Sequence, residues 1–293
     1  MSVEIDTAFV QHYAQNVTLL AQQKGSRLRD AVRVESITGR NGFFDQIGQV
    51  AARRRTTRHA DTPRMDTPHA RRRVSLVDYD WADLIDQEDK VRMLTDPTSA
   101  YARAAAWAMG RAMDDALIEA ADGIAYSGQD GSTATNFDSA MVIDVQVGGS
   151  ASDVGLNIEK LLAAKETLDS NDVDPDVPRF MAVNAKQLKN LLGETQVQSA
   201  DYNSVKALVQ GDIDTFLGFR FIRTERIGID SASDHKVLYW ARDGLLLALG
   251  QEPQARISER DDKNYAMQVF YSMAIGASRM EESQIGYIAC DPS

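Results

Sequence analysis

Apolar residues at Ile5, Phe9, Tyr13, Val17 and Leu20 fall at spacings of three and four, which predicts an amphipathic helix over 4–24 ending at Gly25. The next stretch, RLRDAVRVESITGRNGFFDQIG, alternates only in part, at Val32, Val34 and Ile37, and turns at Gly39-Arg40-Asn41-Gly42. It reads as an extended arm. The strongest helical signal is TSAYARAAAWAMGRAMDDALIEAAD, with Asp96 placed as its N-cap, Pro97 in the first-turn position and Gly123 at its end. Such a helix runs for about 26 residues, or about 39 Å. Its ten alanines let neighbouring backbone come close.

Beyond this helix, helical and strand periods alternate. The pattern predicts a strand at MVIDVQV (141–147), a helix over 156–170 with Leu156, Leu161, Leu162 and Leu168 inward, and a buried strand RFMAV (179–183). A short helix at 185–192 and another near 203–210 follow, then FLGFRFIRTERI as a strand with a glycine kink. VLYWA and GLLLALG (237–250) read as strands about an Arg-Asp-Gly turn. A long strand at about 264–277 and the closing QIGYIACD complete an α+β chain without internal repeats.

The stretch that breaks this pattern is RRRTTRHADTPRMDTPHARRR, residues 53–73. Its eight arginines and two aspartates give a local charge of +6 in a chain whose net charge is −11, so all other residues sum to −17. Thr56, Thr57, Val74, Leu76 and Val77 favour strands, while Pro63 and Pro68 exclude a central strand, so the stretch reads as an edge ribbon or free-standing β-finger. A ribbon symmetric about Pro63 would set Arg53 opposite Arg73 and Arg55 opposite Arg71. Like charges in facing positions destabilise a sheet, and an isolated two-stranded ribbon is marginal anyway. Something outside the ribbon must hold it.

The long helix poses the complementary problem. Asp114, Asp115, Glu119 and Asp122 crowd its C-terminal half, where the helix dipole disfavours acids and a cationic partner is called for. Three readings of the arginines follow: a solvated face, a nucleic-acid contact, or an arm gripping an acidic surface of another copy. Arginine suits phosphate, yet no aromatic lies within the stretch and its flanks are acidic. The third reading satisfies both charge anomalies at once. It makes Arg53, Arg54, Arg55, Arg58, Arg64, Arg71, Arg72, Arg73, Asp114, Asp115, Glu119 and Asp122 candidate inter-subunit contacts. Reversing Arg71, Arg72 and Arg73 to glutamate is then expected to leave the subunit folded but unable to assemble.

Composition narrows the classes. At 293 residues, 43% hydrophobic and 26% charged, the chain is an ordinary globular one or two domains long. No apolar run approaches 18 residues, no signal peptide is evident, and a membrane role is not expected. A single cysteine, Cys290, excludes an internal disulfide framework. His12, His59, His69 and His235 are scattered, and no phosphate-binding, dinucleotide or hydrolase motif occurs. Asp172-Val-Asp174-Pro-Asp176 lacks the glycine and glutamate of a calcium loop. No catalytic residue, cofactor or metal ligand is expected, and the chain reads as structural rather than enzymatic.

The order of parts — arm, β-finger, alanine-rich helix, mixed α/β region, closing strands — resembles the major capsid proteins of tailed bacteriophages, with the HK97-like fold. The most specific portion is TPHARRRVSLVDYDWADLIDQEDKVRMLTDPTSAYARAAAWAMGRAMDDALIEAADGIAYSG, with Tyr79, Asp86, Asp89, Arg111, Asp114 and Gly123 in the similar positions. The resemblance implies an N-terminal arm at 1–42, an extended loop at 43–86 lying over a neighbouring subunit, and a peripheral domain with its spine helix at 87–135. It further implies an axial domain at 136–244 and a return to the peripheral domain at 245–293. Some members of that family weld subunits through a lysine on the extended loop. Here no lysine occurs between Lys24 and Lys90, so cohesion is expected to come from charge pairing and apolar area.

The resemblance implies hexamers and pentamers forming an icosahedral shell around packaged DNA that is enclosed but not bound by sequence. It implies a virion location, with assembly in the cytoplasm of the host bacterium. A separate scaffolding protein is expected, with portal and decoration proteins as further partners. The alternatives are an encapsulin-like nanocompartment, which shares the fold, and a DNA-binding protein using the arginine finger.

Overall fold

A computed structural model of the chain describes residues 22–58, 61–62, 64–85, 98–149, 152–193, 215–230 and 232–291. In chain order these form β1 (Arg33–Ser36), β2 (Asn41–Ile47), β3 (His69–Ser75), β4 (Val77–Ile85) and helix α1 (Thr98–Asp122). Then come β5 (Ala125–Ser127), β6 (Thr133–Thr135), β7 (Val142–Ile143), α2 (Ile158–Ser170), β8 (Arg179–Val183) and α3 (Ala185–Gly193). The remainder is β9 (Thr215–Phe216), β10 (Phe219–Arg223), β11 (His235–Ala241), β12 (Leu245–Arg260), β13 (Ala266–Arg279) and β14 (Ile285–Cys290). The expected helices over 4–24 (apart from its last three residues) and near 203–210, and the Asp96–Pro97 cap, lie outside the described residues.

The chain divides into two compact units. The first comprises 1–26, 78–111 and 251–273. In it the Gly25–Ser26 backbone crosses α1 at Gly110, where an added Cβ would stand 2.4 Å from the Gly25 carbonyl carbon and the Ser26 nitrogen. Arg111 Nη1 fixes the crossing by donating to Gln22 Oε1 at 2.9 Å and to the Gln23 carbonyl at 3.2 Å. Residues 251–260 of β12 and 266–273 of β13 lie here with β4.

The second unit comprises 27–77, 112–250 and 274–293. Its centre is a six-stranded mixed sheet, β7-β14-β11-β8-β10-β9, with β8 parallel to β10 and antiparallel to β11. All five residues of β8 are buried because both sheet faces are covered, which is why RFMAV shows no polar alternation. Met181 and Val183 join Leu161, Ala164 and Leu168 of α2 in one core, while Phe180 stacks on Trp240 at 6.0 Å. Trp240 Nε1 donates to the Ala31 carbonyl at 2.9 Å. The start of the expected free arm is therefore core: Leu28, Ala31 and Val32 are buried, and β1 pairs in parallel with β12.

Three expected elements come out differently. MVIDVQV is a strand only at Val142–Ile143, because Asp144 Oδ1 captures the Gln146 N–H at 2.9 Å and turns the chain. FLGFRF is a tight hairpin, since Leu217 and Gly218 both take positive φ and Phe216 pairs with Phe219. VLYWA and GLLLALG do not pair with each other. Both edges of β11 are already occupied, by β14 and β8, so β12 enters a different sheet.

Candidate assembly surface

The base of the arginine stretch is built from strand register. β3 runs antiparallel to β2, which places Arg71 opposite Asp45, Arg72 opposite Phe44 and Arg73 opposite Phe43. The expected facing of Arg53 with Arg73 and Arg55 with Arg71 does not form. Opposed arginines would repel, whereas an acid and two aromatic rings suit the cross-strand positions. Arg71 Nε lies 2.6 Å from Asp45 Oδ1, and this hydrogen bond holds the Asp45 carboxyl below its ordinary range. Arg73 stacks over the Tyr126 ring of β5 at 4.6 Å.

Arg72 turns inward and is only 5% exposed. Its Nε donates to the Met280 carbonyl at 2.9 Å, and Gln46 Nε2 of β2 donates to the same oxygen at 2.8 Å. Nη2 of Arg72 engages both oxygens of Glu282. Glu282 Oε1 also lies 3.5 Å from Nε of Arg279, a wholly buried residue. Arg279 donates onward to the carbonyls of Ala121 at 3.1 Å, Gly123 at 2.8 Å and Thr135 at 3.2 Å. Burial pulls the Arg279 guanidinium below its usual value. Reversal of all three arginines at 71–73 is thus not a clean test of assembly: glutamate at 72 would oppose Glu282 in a buried site.

The tip differs from the base. Arg53, Arg54, Arg55, Arg58 and Arg64 are all exposed and lie outside regular secondary structure. Arg55 donates to the Thr57 carbonyl at 3.0 Å and Arg64 pairs with Asp66 at 3.3 Å. Arg53, Arg54 and Arg58 have no ionic or hydrogen-bonded partner among the described residues. With Asp61 and Asp66, residues 48–68 carry a net charge of +3, five arginines against two aspartates. Ile47, Val50 and Met65 are exposed beside them, at 71%, 61% and 55%.

Two of the four acids of α1 find cations within the same chain, and a third takes backbone N–H groups. Asp114 is buried and accepts the backbone N–H groups of Arg27 (3.0 and 3.2 Å) and Leu28 (3.1 Å), so it anchors the entry to β1 instead of facing outward. Asp115 pairs with both ends of the Arg226 fork, and Asp122 with Lys236, whose ammonium lies 5.4 Å over the Tyr287 ring. Asp115 raises the Arg226 guanidinium above its ordinary value. Glu119 alone of the four is exposed without an ionic or hydrogen-bonded partner among the described residues. It borders a cleft of about 340 Å³ with Asp115, Asp122, Arg226 and Lys236. The cationic answer to the acidic helix end is therefore Arg226 on Asp115 and Lys236 on Asp122, with Arg279 on the terminal carbonyls. Sequence reasoning missed them because each lies more than 100 positions downstream of the helix groups it meets.

No grouping of three histidine, cysteine, aspartate or glutamate side chains suited to a metal occurs among the described residues. Among them, too, no helix is long and apolar enough to cross a membrane.

Against known proteins, a family model described as phage capsid protein matches residues 5–292. No curated protein matches the chain. Solved structures similar to it include the capsid of cyanophage P-SCSP1u, with a TM-score of 0.75, 16% identity and coverage of 100% of this chain and 96% of that one. The head of Helicobacter pylori bacteriophage KHP40 gives a TM-score of 0.74 at 8% identity, covering 99% and 98%. The capsid of a native GTA particle gives 0.71 at 13% identity, covering 98% and 97%. Identities this low speak to the fold alone, and the fold is the α+β HK97-like one. The nanocompartment alternative is not favoured. With the family model spanning all but a few terminal residues, the chain belongs to the phage capsid protein family, a structural subunit of the virion shell.

Proposed function

We propose that this subunit is the major capsid protein of a tailed phage, assembling as hexamers and pentamers into an icosahedral shell around DNA. In this reading assembly takes place in the host cytoplasm, with separate scaffolding, portal and decoration proteins as partners. Residues 43–86 form the extended loop, and its tip lies on a neighbouring copy. Arg53, Arg54, Arg55, Arg58 and Arg64 are the inter-subunit cations, and the acids of α1, exposed Glu119 first, with exposed Asp115 and half-buried Asp122 beside it, are candidates for what they meet. Arg71 and Arg73 flank the root of the same surface.

The observation that carries this reading is that Arg53, Arg54 and Arg58 have no ionic or hydrogen-bonded partner among the described residues and lie beside exposed Ile47, Val50 and Met65. Arginine together with exposed apolar side chains is the composition of a binding hot spot, not of a solvated face. The rest of the chain, at −17 outside residues 53–73, offers acidic ground for it and repels packaged DNA. Electron microscopy of the Arg53→Glu/Arg54→Glu/Arg58→Glu variant tests the proposal. The variant is expected to remain a folded, soluble subunit that yields no shells under conditions where the parent protein does; shells of normal yield from the variant would overturn it.

A further inference from the structure

Two strands of the second unit lead to the arginine tip, and a side chain from each converges on one carbonyl oxygen. Gln46 of β2 and Arg72 of β3 donate to the same Met280 carbonyl, at 2.8 and 2.9 Å. Arg72 continues to Glu282, Glu282 to Arg279, and Arg279 to the carbonyls of Ala121 in α1 and of Gly123 just beyond it. Two buried guanidinium groups thus share one carboxylate, an arrangement with a surplus positive charge. The negative end of the α1 dipole faces that surplus through Arg279. The chain of contacts ties the direction of the loop to the end of the helix.

We infer that Glu282 is a positioning residue for assembly: it fixes the angle at which residues 48–68 leave the subunit. Leverage makes the angle matter. Ten fully extended residues span at most about 34 Å, so a turn of roughly 10° at the root displaces the tip by up to roughly 6 Å. That is more than an ion pair tolerates. Without Glu282, Arg72 keeps its hydrogen bond to Met280 and β3 keeps its pairing with β5 at Arg72 and Arg73, but the ionic link to Arg279 and the end of α1 is gone, and the root is held less firmly in direction.

The assembly arm of the test rests on the shell reading above; the exchange arm does not. Glu282→Gln keeps the shape and removes the charge, and Glu282→Asp keeps the charge on a shorter stem. In unassembled Glu282→Gln, amide exchange at 69–75 is expected to rise at least tenfold while β8, β11 and β14 stay unchanged. Shell yield is expected to fall at least fivefold, or shells to lose uniform size, with Glu282→Asp recovering most of both. Unchanged exchange at 69–75 would overturn the inference. So would exchange rising equally throughout, collapse of both variants, or a local rise with normal shells. If the parent protein forms no shells even together with its scaffolding partner, the shell reading fails, while the exchange result still decides whether Glu282 holds the root.

Discussion

Cys290 shows how one buried side chain sets a pH window. It is fully buried on β14, and burial pushes its thiol up to about 12 from an ordinary value near 9. A raised value in the folded state stabilises fully below the unfolded value and is lost as pH climbs through the folded one. The Cys290 contribution is thus intact at neutral pH and erodes between about 9 and 12. Lys160, which donates to the Ala289 carbonyl at 2.9 Å and whose ammonium is pulled down by burial, acts with the opposite sign. A Cys290→Ala comparison separates the two: the parent should lose more stability between pH 8 and pH 10.5 by urea titration than the variant does. A thiol reagent at pH 8 should label the native parent at least a hundredfold more slowly than the unfolded chain. Rapid native labelling would contradict the burial.

At the scale of elements, two glycines on helices make opposite predictions. Gly110 on α1 has backbone of Gly25 and Ser26 at 2.4 Å from where a Cβ would sit, so Gly110→Ala should cost about 1–3 kcal/mol in chemical denaturation. Gly193, at the end of α3, has nothing within 4 Å, and Gly193→Ala should be neutral or stabilise by up to about 1 kcal/mol. Equal effects would refute the crossing at Gly110. Elements whose signal is local were legible in the sequence: α1 over 98–122, RFMAV as a buried strand, α3, and the closing strand. Partnership was not. The composition of VLYWA and GLLLALG says strand, but only the two filled edges of β11 say that they part. The near-symmetric arginines suggested a symmetric hairpin, while cross-strand charge chose Asp45, Phe44 and Phe43 as the facing residues. Asp114 read as a surface acid because nothing near it in sequence shows that Arg27 and Leu28 bring their N–H groups to it.

For the whole molecule, ionic strength is the discriminating variable. Exposed ion pairs weaken as the screening length shrinks from about 10 Å at 0.1 M salt to about 3 Å at 1 M. Buried contacts such as Arg279 with Ala121 and Gly123 are screened far less. Raising salt should therefore slow shell assembly, followed by light scattering, while leaving the thermal unfolding of the isolated subunit nearly unchanged. Whatever assembly the Arg53→Glu/Arg54→Glu/Arg58→Glu variant retains should lack the parent's salt-induced slowing. A slope shared by both proteins would place the governing charges elsewhere than the tip.

The oxygen on which both strands of the loop converge belongs to the main chain of Met280, and every residue type carries that atom. The keystone of the root is consequently invisible to side-chain replacement at its own position, so long as the new residue fills the apolar space beside Val74, Leu246 and Ala248. Sequence drift can erase the methionine and leave the joint standing.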